Sequence, residues 1–307
     1  MHKLKQQLLD FFSKHGHEKS PEAEANLIIY TVFRNRYPSI VKYSEIFEPK
    51  FEANYPLKAE IEEEAMKMAA LRIKGIPLQH ITGNQYFYEH EYIVNEQVLI
   101  PRPETEILIQ EVIDYIAKKW PYQEFRFAEL GLGSGILSTE ILFRFKKAIG
   151  LASEVSHQSI AVARLNLDRI LGVGNWEERF HILEPADTHV GFEVFEDYRP
   201  ADLIVSNPPY VSVHDEIENE VMKHEPHRAL FPMLGDSHAG DGENPSFFYE
   251  NFLMHHHKIL KSGGIAFFEI PHERAQILEH EFRNAGFANV TLIPDLTGRA
   301  RVLIAQK

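Results

Sequence analysis

Three glycines that alternate with other residues form a candidate ligand-binding turn in the segment from Glu129 to Gly135, Glu-Leu-Gly-Leu-Gly-Ser-Gly. Glycine has no Cβ atom, so alternate glycines let the backbone turn tightly and let a ligand approach the main chain closely. On its own, such a glycine-rich segment is about as often a purely structural turn as it is part of a binding site. Its position after the apolar run Phe125 to Leu130 and before a helix predicted from Ile136 favours the binding site.

An acidic residue, Glu154, follows the glycines at the spacing seen in nucleotide-binding folds. It lies about 20 residues further on, at the end of the next predicted strand, where a carboxylate can accept hydrogen bonds from ribose hydroxyls. An isolated glutamate is more often a solvated surface residue. Together with the glycine turn, however, Glu154 predicts nucleoside binding, which leaves both a dinucleotide and S-adenosylmethionine open.

The segment Asn207-Pro208-Pro209-Tyr210 follows another apolar run, Leu203 to Ser206. Proline fixes φ and has no N–H group, so this loop is stiff and leaves backbone carbonyls to accept hydrogen bonds. With the side-chain oxygen of Asn207 and the aromatic face of Tyr210, these acceptors suit a flat substrate that carries an NH2 group. For the two prolines alone, a turn that merely ends a strand is the alternative.

This loop suggests a mechanism in which the protein supplies geometry. Of the two cofactors left open, S-adenosylmethionine suits such an acceptor. The nitrogen of a planar amide or amino group is a poor nucleophile because its lone pair is delocalised. Hydrogen bonds from the acceptor NH2 group to Asn207 Oδ1 and to the Pro208 carbonyl would hold the nitrogen in line with a methyl donor, and such positioning can lower a barrier by about 7–11 kcal/mol. We expect neither a metal nor a committed general base, since the proton can leave to water after transfer.

The sequence pattern also predicts the helices and strands that position these residues. From Lys3 to Ile73 the apolar residues have helical spacing, and the run from Gln85 to Val94 has the aromatic and β-branched composition of a β-hairpin. From Phe125 onward predicted strands alternate with helices, which is typical of a mostly parallel sheet covered on both faces. The expected fold is α/β: a Rossmann-like doubly wound domain at 102–307, a smaller N-terminal helical bundle domain at 1–83, and a connecting β-hairpin at 84–101.

The pattern also predicts individual boundaries. A helix should begin at Pro21 with Ser20 as its N-cap, and the hairpin should turn at Glu89 to Glu91. A further helix is predicted at Ser156–Leu171. Strands are expected at Phe125–Leu130, Ala148–Ala152, Phe180–Leu183, Leu203–Ser206, Gly264–Ile270, Asn289–Pro294 and Arg301–Ala305.

The composition limits the class of protein. The chain of 307 residues has no cysteine, which excludes disulfides and thiolate metal sites, and its net charge of -13 disfavours a nucleic-acid substrate. No stretch approaches transmembrane length, and the first ten residues lack the apolar core of a signal peptide. We expect a cytoplasmic, monomeric protein with no membrane contact, no bound metal and no nucleic-acid partner.

These features belong to a longer resemblance. The chain is similar over nearly its whole length to the peptide chain release factor N5-glutamine methyltransferase family, PrmC/HemK. The segments that carry the similarity are Pro77–Gly83, Leu99–Glu106, the glycine turn, Asn207–Tyr210, Glu225–Leu230, Leu260–Gly264 and Asp295–Arg301. The Asn-Pro-Pro-Tyr loop is shared with adenine-N6 and other amino methyltransferases. The Pro-Arg-Pro-Glu-Thr-Glu stretch at 101–106 is far more specific and points to the glutamine-modifying branch.

The resemblance implies S-adenosylmethionine as methyl donor, S-adenosylhomocysteine as product, and class 1 translation release factors as protein substrate, modified on the glutamine of their Gly-Gly-Gln loop. It also implies residue roles. The implied cofactor-binding residues are Glu129, Gly131, Leu132, Gly133, Ser134, Gly135, Glu154, Asp187 and Asn207. The implied acceptor-binding residues are Asn207, Pro208, Pro209 and Tyr210, of which Asn207, Pro208 and Tyr210 are assigned to catalysis.

The chain departs from the family pattern in three places. The family usually has Asp where this chain has Glu129, and the acidic residue expected after the third strand of the sheet appears as Ala186 followed by Asp187. The glycine-, proline- and acid-rich segment Phe231–Pro245 is also longer than expected and is predicted to be a surface loop.

Two other functions fit parts of the sequence. A nucleic-acid amino methyltransferase could use the same Asn-Pro-Pro-Tyr loop on a flipped base, but it needs a basic, aromatic-lined groove, and no lysines or arginines cluster near the loop. A non-catalytic relative that binds a partner is suggested only by Glu129 and Ala186, and the intact Asn207 and glycines argue against it. Arg102 is equally compatible with a cofactor contact and with a salt-bridged rim residue.

Overall fold

The structure is a computed structural model of the chain and describes residues 1–40, 42–48, 50–184, 191–232 and 244–307. The chain divides into two compact units. The first comprises Met1–Asn84 and Asn219–His224, and the second comprises Gln85–Glu218 and Glu225–Lys307. The first unit therefore includes a short segment from far along the chain, which the sequence pattern did not predict.

Helices dominate the first unit, and strands alternate with helices in the second. The helices are α1 (His2–Lys14), α2 (Pro21–Arg36), α3 (Phe51–Asn54), α4 (Ala59–Arg72), α5 (Leu78–Thr82), α6 (Pro103–Lys119), α7 (Ile136–Arg144), α8 (His157–Leu171), α9 (Asn219–His224), α10 (His227–Leu230), α11 (Phe247–Ile259) and α12 (Ala275–Asn284). The strands are β1 (Asn84–Phe87), β2 (His90–Ile93), β3 (Phe125–Leu130), β4 (Ala148–Ser153), β5 (Phe180–Leu183), β6 (Ala201–Ser206), β7 (Leu260–Glu269), β8 (Asn289–Pro294) and β9 (Ala300–Gln306). Short 3-10 helices lie at Tyr43–Phe47, Phe192–Phe195 and His272–Arg274.

The first unit packs α1, α2 and α4 around an apolar core. Leu4, Leu8 and Phe12 are four residues apart, so they share one side of α1, and all three are fully buried. On α4 the same spacing buries Ile61 and Ala65, as the sequence pattern predicted.

A buried arginine connects distant parts of this unit. Arg72, at the end of α4, donates from Nε to Glu24 on α2 at 3.0 Å and from Nη1 to Glu220 on α9 at 3.0 Å. Its Nη1 also donates to the Ile76 carbonyl at 3.1 Å. A buried charge is tolerated only when it is paired in this way, so the two glutamates account for the position of Arg72 and tie α9 to this unit.

Seven strands of the second unit form one mixed sheet in the order β5-β4-β3-β6-β7-β9-β8. Strands β3 to β7 run parallel, and β9 is antiparallel to both β7 and β8. From β3 the chain builds outward to β5 on one side and then returns to add β6 and β7 on the other. This arrangement confirms the predicted doubly wound α/β fold.

Both faces of this sheet are covered, because alternate strand residues point to opposite sides. On β7, Ile265 and Phe267 face the core formed with α6, α7 and α8. Their neighbours Ala266 and Phe268 face the core formed with α11 and α12. The sheet is therefore buried on both faces, and ligands reach it at its edges.

The predicted bounds of β3, β5 and β8 are confirmed. The predictions for β4, β6 and β9 were too short, and the prediction for β7 both began and ended too late in the chain. Strands β6 and β7 begin earlier than predicted because Ala201 pairs with Leu260, before a register shift that precedes Leu203. The predicted hairpin turn was wrong: it lies at residues 88–89, where Tyr88 adopts a positive φ of 54° and donates its N–H to Glu106 at 3.0 Å.

The helix at Pro21 begins where it was predicted, but Ser20 makes no side-chain capping hydrogen bond. Ser20 has a left-handed backbone, with φ 49° and ψ 45°, whereas a capping serine needs an extended one. Ser156 shows the expected geometry at the start of α8: its φ is −105°, and its Oγ accepts from the Ser159 N–H at 3.1 Å.

Candidate active site at the carboxyl edge of the sheet

A cavity of about 640 Å³ lies at the carboxyl edge of the sheet, a size typical of small-molecule sites. Leu130, Ser153 and Ser206, the last residues of β3, β4 and β6, are paired in register. The three loops that follow these strands therefore begin side by side, and all three line the cavity. Ligands of open α/β sheets bind at such a point, where the strand order reverses.

The cavity brings together most of the residues predicted to bind cofactor and acceptor. Those that line it are Glu129, Gly131, Leu132, Gly133, Ser134, Glu154, Asn207, Pro208 and Pro209. Gly135 and Tyr210 are not among the lining residues. Ala186 and Asp187 lie outside the described residues, as does 233–243 of the predicted long loop.

The glycine turn depends on backbone conformations that favour glycine. Gly131, Gly133 and Gly135 have φ values of 76°, 54° and 80°. Gly131 donates to the Ser153 carbonyl at 2.9 Å, which joins the turn to β4. Gly135 is the N-cap of α7, and a Cβ atom there would lie 3.2 Å from Cβ of Ala163. Gly135 therefore serves the close approach of α7 and α8.

Glu154 fixes the glycine turn from the opposite side. Its Oε2 accepts the Gly133 N–H at 2.8 Å, and its Oε1 accepts the Ser156 N–H at 2.9 Å. Burial raises the pKa of Glu154, while these backbone donors oppose that rise. Each carboxylate oxygen has a second lone pair, so Glu154 can still accept hydrogen bonds from a ligand in the cavity.

Glu129 is bound to the start of α7. Its Oε2 accepts the Ser138 N–H at 3.0 Å and also the Ser138 hydroxyl. The residue is 1% exposed, and burial raises its pKa to about 8. A carboxyl group at the first turn of a helix accepts from backbone N–H groups that lack helical partners. Glu129 therefore joins β3 to α7 as well as lining the cavity.

The Asn207 side chain is bound on its nitrogen side. Nδ2 donates to Thr105 Oγ1 at 3.2 Å, and Thr105 in turn donates to Glu269 Oε2 at 2.6 Å. Thr105 lies in the first turn of α6, and Glu269 is the last residue of β7. The loop after β6 is thus connected through side chains to two other elements of the same unit.

Tyr210 reaches the same carboxylate. Its hydroxyl donates to Glu269 Oε1 at 2.9 Å. Burial and the nearby Glu269 raise the pKa of Tyr210 well above its ordinary value, so the phenol stays protonated. Burial likewise raises the pKa of Glu269. Tyr210 is therefore held by its hydroxyl, while the two prolines before it line the cavity.

Arg102 proves to be a salt-bridged residue. Its Nη2 lies 2.6 Å from Glu225 Oε1, and Glu225 Oε2 accepts the Ile100 N–H at 3.1 Å. The Glu225 side chain is only 1% exposed. The pair joins two segments that line the cavity, because Leu99 and Pro101 precede Arg102 and Pro226 follows Glu225.

Thr105, Glu269 and Glu225 were not singled out by the sequence analysis. Thr105 lies within the Pro-Arg-Pro-Glu-Thr-Glu stretch, and Glu225 begins another segment that carried the resemblance. Glu269 had only a weak signal, an acidic residue directly after the apolar run Ile265 to Phe268. A carboxylate at the end of a central parallel strand is buried, so it needs partners that the sequence does not name.

Among the described residues, no three histidine, aspartate or glutamate side chains are grouped so that they could hold a metal ion. Within the same ranges no helix combines the length and apolar composition needed to cross a bilayer.

Comparison with known proteins gives the family. A release factor glutamine methyltransferase of Caulobacter vibrioides is 33% identical over 246 residues, which cover 77% of this chain and 75% of that protein. One from Fusobacterium nucleatum is 31% identical over 309 residues, covering 94% of this chain and 81% of that protein. No protein-family model matches the chain.

Among solved structures, the hMettl16 catalytic domain in complex with MAT2A 3'UTR hairpin 6 superposes with a TM-score of 0.50. The two chains are 15% identical, and the match covers 89% of this chain and 95% of that one. This similarity concerns the fold alone and agrees with the doubly wound sheet. The sequence relatives show the family as well as the fold, because their identity to this chain extends over most of both chains. The chain belongs to the release factor glutamine methyltransferase family.

Proposed function

We propose that this chain transfers a methyl group from S-adenosylmethionine to the side-chain amide nitrogen (N5) of the glutamine in the Gly-Gly-Gln loop of class 1 translation release factors. The observation that carries the proposal is the shared cavity, in which the glycine turn and Glu154 lie beside the Asn207 loop. A nucleoside cofactor and an acceptor amide can therefore occupy one site. The names of the relatives support a release factor glutamine as the acceptor.

The residues around the turn fit the cofactor. A Cβ atom built on Gly133 meets nothing within 4 Å, so the backbone here faces open space in the cavity. Glu154 retains lone pairs for ribose hydroxyls. When bound, the cofactor supplies a methyl group activated by a sulfonium charge. The proposed cofactor-binding residues are Glu129, Gly131, Leu132, Gly133, Ser134 and Glu154, which line the cavity, with Gly135, Asp187 and Asn207 added on the resemblance alone.

The loop after β6 fits the acceptor. Because Nδ2 of Asn207 is engaged by Thr105, the amide can offer Oδ1 to a substrate NH2 group. Pro208 has no N–H and presents a carbonyl as the second acceptor. Two such hydrogen bonds orient the nitrogen and raise its electron density, which an amide needs because its lone pair is delocalised. The proposed acceptor-binding residues are Asn207, Pro208 and Pro209, which line the cavity, and Tyr210, which does not line it and is included on the resemblance alone. Asn207, Pro208 and Tyr210 are proposed to act in catalysis.

Other features of the proposal rest on the sequence. Recognition of the release factor by the helical unit, a monomeric state, a cytoplasmic location and the absence of nucleic-acid binding remain predictions. The net charge of -13 supports the last of these, because a polyanion is repelled at long range.

Mass spectrometry tests the proposal directly. A purified class 1 release factor is incubated with this protein and S-adenosylmethionine, digested, and searched for added methyl groups. We expect a single methyl group on the glutamine of the Gly-Gly-Gln loop. A release factor with glutamate at that position is the matched control, since glutamate has the same length but no NH2 group, and it should stay unmodified.

The contrary result is an unmodified Gly-Gly-Gln glutamine although S-adenosylhomocysteine binds to the protein. The acceptor would then be another amide or amine. Equal methylation of the glutamate control would also contradict the proposal, because the methyl group would have to lie elsewhere on the release factor.

A further inference from the structure

The buried carboxylate of Glu269 has a different hydrogen-bond donor on each oxygen. Oε2 accepts from Thr105 at 2.6 Å, and Oε1 accepts from Tyr210 at 2.9 Å. The residue is 1% exposed, and its own main-chain carbonyl accepts from the Tyr249 hydroxyl at 2.7 Å. Glu269 is thus the meeting point of α6, the loop after β6, and α11.

The direction of these hydrogen bonds is determined by chemistry. In the structure both hydroxyls donate to Glu269, and these two hydrogen bonds oppose the rise in its pKa that burial causes. A threonine hydroxyl has one proton, and Thr105 uses it on Glu269. The Thr105 oxygen can therefore only accept from Asn207, which requires the amide nitrogen at the observed 3.2 Å. The amide oxygen of Asn207 then points away from Thr105.

We propose that Glu269 and Thr105 are positioning residues for methyl transfer, which hold Asn207 with its amide oxygen, rather than its nitrogen, available to the acceptor NH2 group. The inference rests on the proposed function, because it supplies the reason why the loop accepts an NH2 group rather than a carbonyl. A flipped Asn207 amide would present its own NH2 group to the substrate NH2 group, and two donors repel. The same carboxylate fixes Tyr210 through its hydroxyl.

Substitutions at Thr105 and Glu269 distinguish this positioning role from a role in packing alone. Thr105→Val keeps the shape of the side chain but removes the acceptor for Asn207 Nδ2, and Thr105→Ser restores a hydroxyl. Glu269→Gln replaces one acceptor of the carboxylate with a donor, so Thr105 or Tyr210 must reverse its hydrogen bond. Each change acts on the direction of the Asn207 amide while leaving the glycine turn and Glu154 intact.

The first readout is kinetic. We expect Thr105→Val to lower kcat for release factor methylation by about 10- to 100-fold, the cost of leaving a partly buried donor without its acceptor. Glu269→Gln should lower it by a similar factor. Thr105→Ser should remain within a few-fold of the unsubstituted protein. The dissociation constant for S-adenosylhomocysteine should change little in all three, which also shows that the variants are folded.

The second readout does not depend on the substrate. With 15N-asparagine labelling, the Asn207 side-chain amide is identified by its loss in Asn207→Asp. Thr105→Val should shift this signal and speed its exchange with water, whereas Thr105→Ser should preserve it. If the signal responds in this way but no glutamine is methylated, the proposed function fails while the positioning role stands. If Thr105→Val leaves the signal or kcat unchanged in a protein that methylates glutamine, the positioning role is wrong.

Discussion

The two sides of the cavity are built in different ways. On the cofactor side, the glycine turn and Glu154 are joined by backbone N–H groups, and only one helix and one strand separate the partners in the chain. On the acceptor side, Asn207 is held by side chains: Thr105 precedes it by 102 residues, and Glu269, which holds Thr105, lies 164 residues after Thr105. The first side is a local backbone structure, and the second is a network assembled by the fold.

This difference predicts two kinds of failure. Changes on the cofactor side should alter affinity, because they alter the shape and donors of the binding surface. Changes on the acceptor side should alter the rate of transfer, because they alter the direction of hydrogen bonds to the acceptor.

The largest expected effect follows removal of the acceptor-side amide. Asn207→Ala removes the side-chain oxygen that orients the substrate nitrogen, and we expect turnover to fall by at least about 1,000-fold, at the upper end of the cost of losing a positioned hydrogen-bonding group at an active site. Affinity for S-adenosylhomocysteine should stay within a few-fold. Methyl transfer and calorimetric titration on the same preparation test both statements, and near-normal turnover would refute the assigned role.

A smaller effect is expected on the cofactor side from a matched pair of glycines. Gly133 and Gly174 have φ values of 54° and 71°, and a Cβ atom on either meets nothing within 4 Å. Alanine at either position should cost about 1–2 kcal/mol of folding stability because of its left-handed backbone. Only Gly133 lines the cavity, so only Gly133→Ala should also weaken S-adenosylhomocysteine binding, by about 10-fold.

Calorimetric titration measures the loss of S-adenosylhomocysteine affinity, and thermal unfolding measures the loss of folding stability. Equal loss of affinity in Gly133→Ala and Gly174→Ala would mean that the effect comes from strain, and that the cavity does not hold the cofactor against this turn.

A third effect concerns stability rather than function. The folded Glu129 carboxyl keeps its proton up to about pH 8, whereas an unfolded glutamate loses it near pH 4.5. The folded state thus binds more protons between these values, so stability falls as pH rises through that window. The contribution is at most about 5 kcal/mol, since one pKa unit corresponds to 1.36 kcal/mol.

Glu129→Gln keeps an oxygen for Ser138 but cannot ionise. Between pH 5 and pH 9 the variant should therefore lose less free energy of unfolding than the unsubstituted protein, as measured by urea denaturation at each pH. Parallel curves for the two proteins would show that Glu129 has an ordinary pKa.

The same contrast explains what could be predicted from the sequence. The glycine turn and Glu154 were placed correctly at the ends of β3 and β4, because local spacing and apolar runs determine both. The partners of Asn207 could not be predicted, since their contacts depend on which strands become neighbours. The inclusion of α9 in the first unit was missed for a similar reason: Arg72 and Glu220 are 148 residues apart, and no local pattern connects them.

The most direct test of this division compares Glu154→Gln with Asn207→Ala in single-turnover transfer at saturating S-adenosylmethionine. Glutamine at 154 puts an NH2 group against the N–H of Gly133 or Ser156, so affinity should fall by about 10-fold, yet transfer at saturation should stay within a few-fold of normal. Asn207→Ala should bind the cofactor normally and fail to transfer at any cofactor concentration. If Glu154→Gln is equally inactive at saturation, or if Asn207→Ala regains transfer as the cofactor is raised, the two sides of the cavity do not have separate roles.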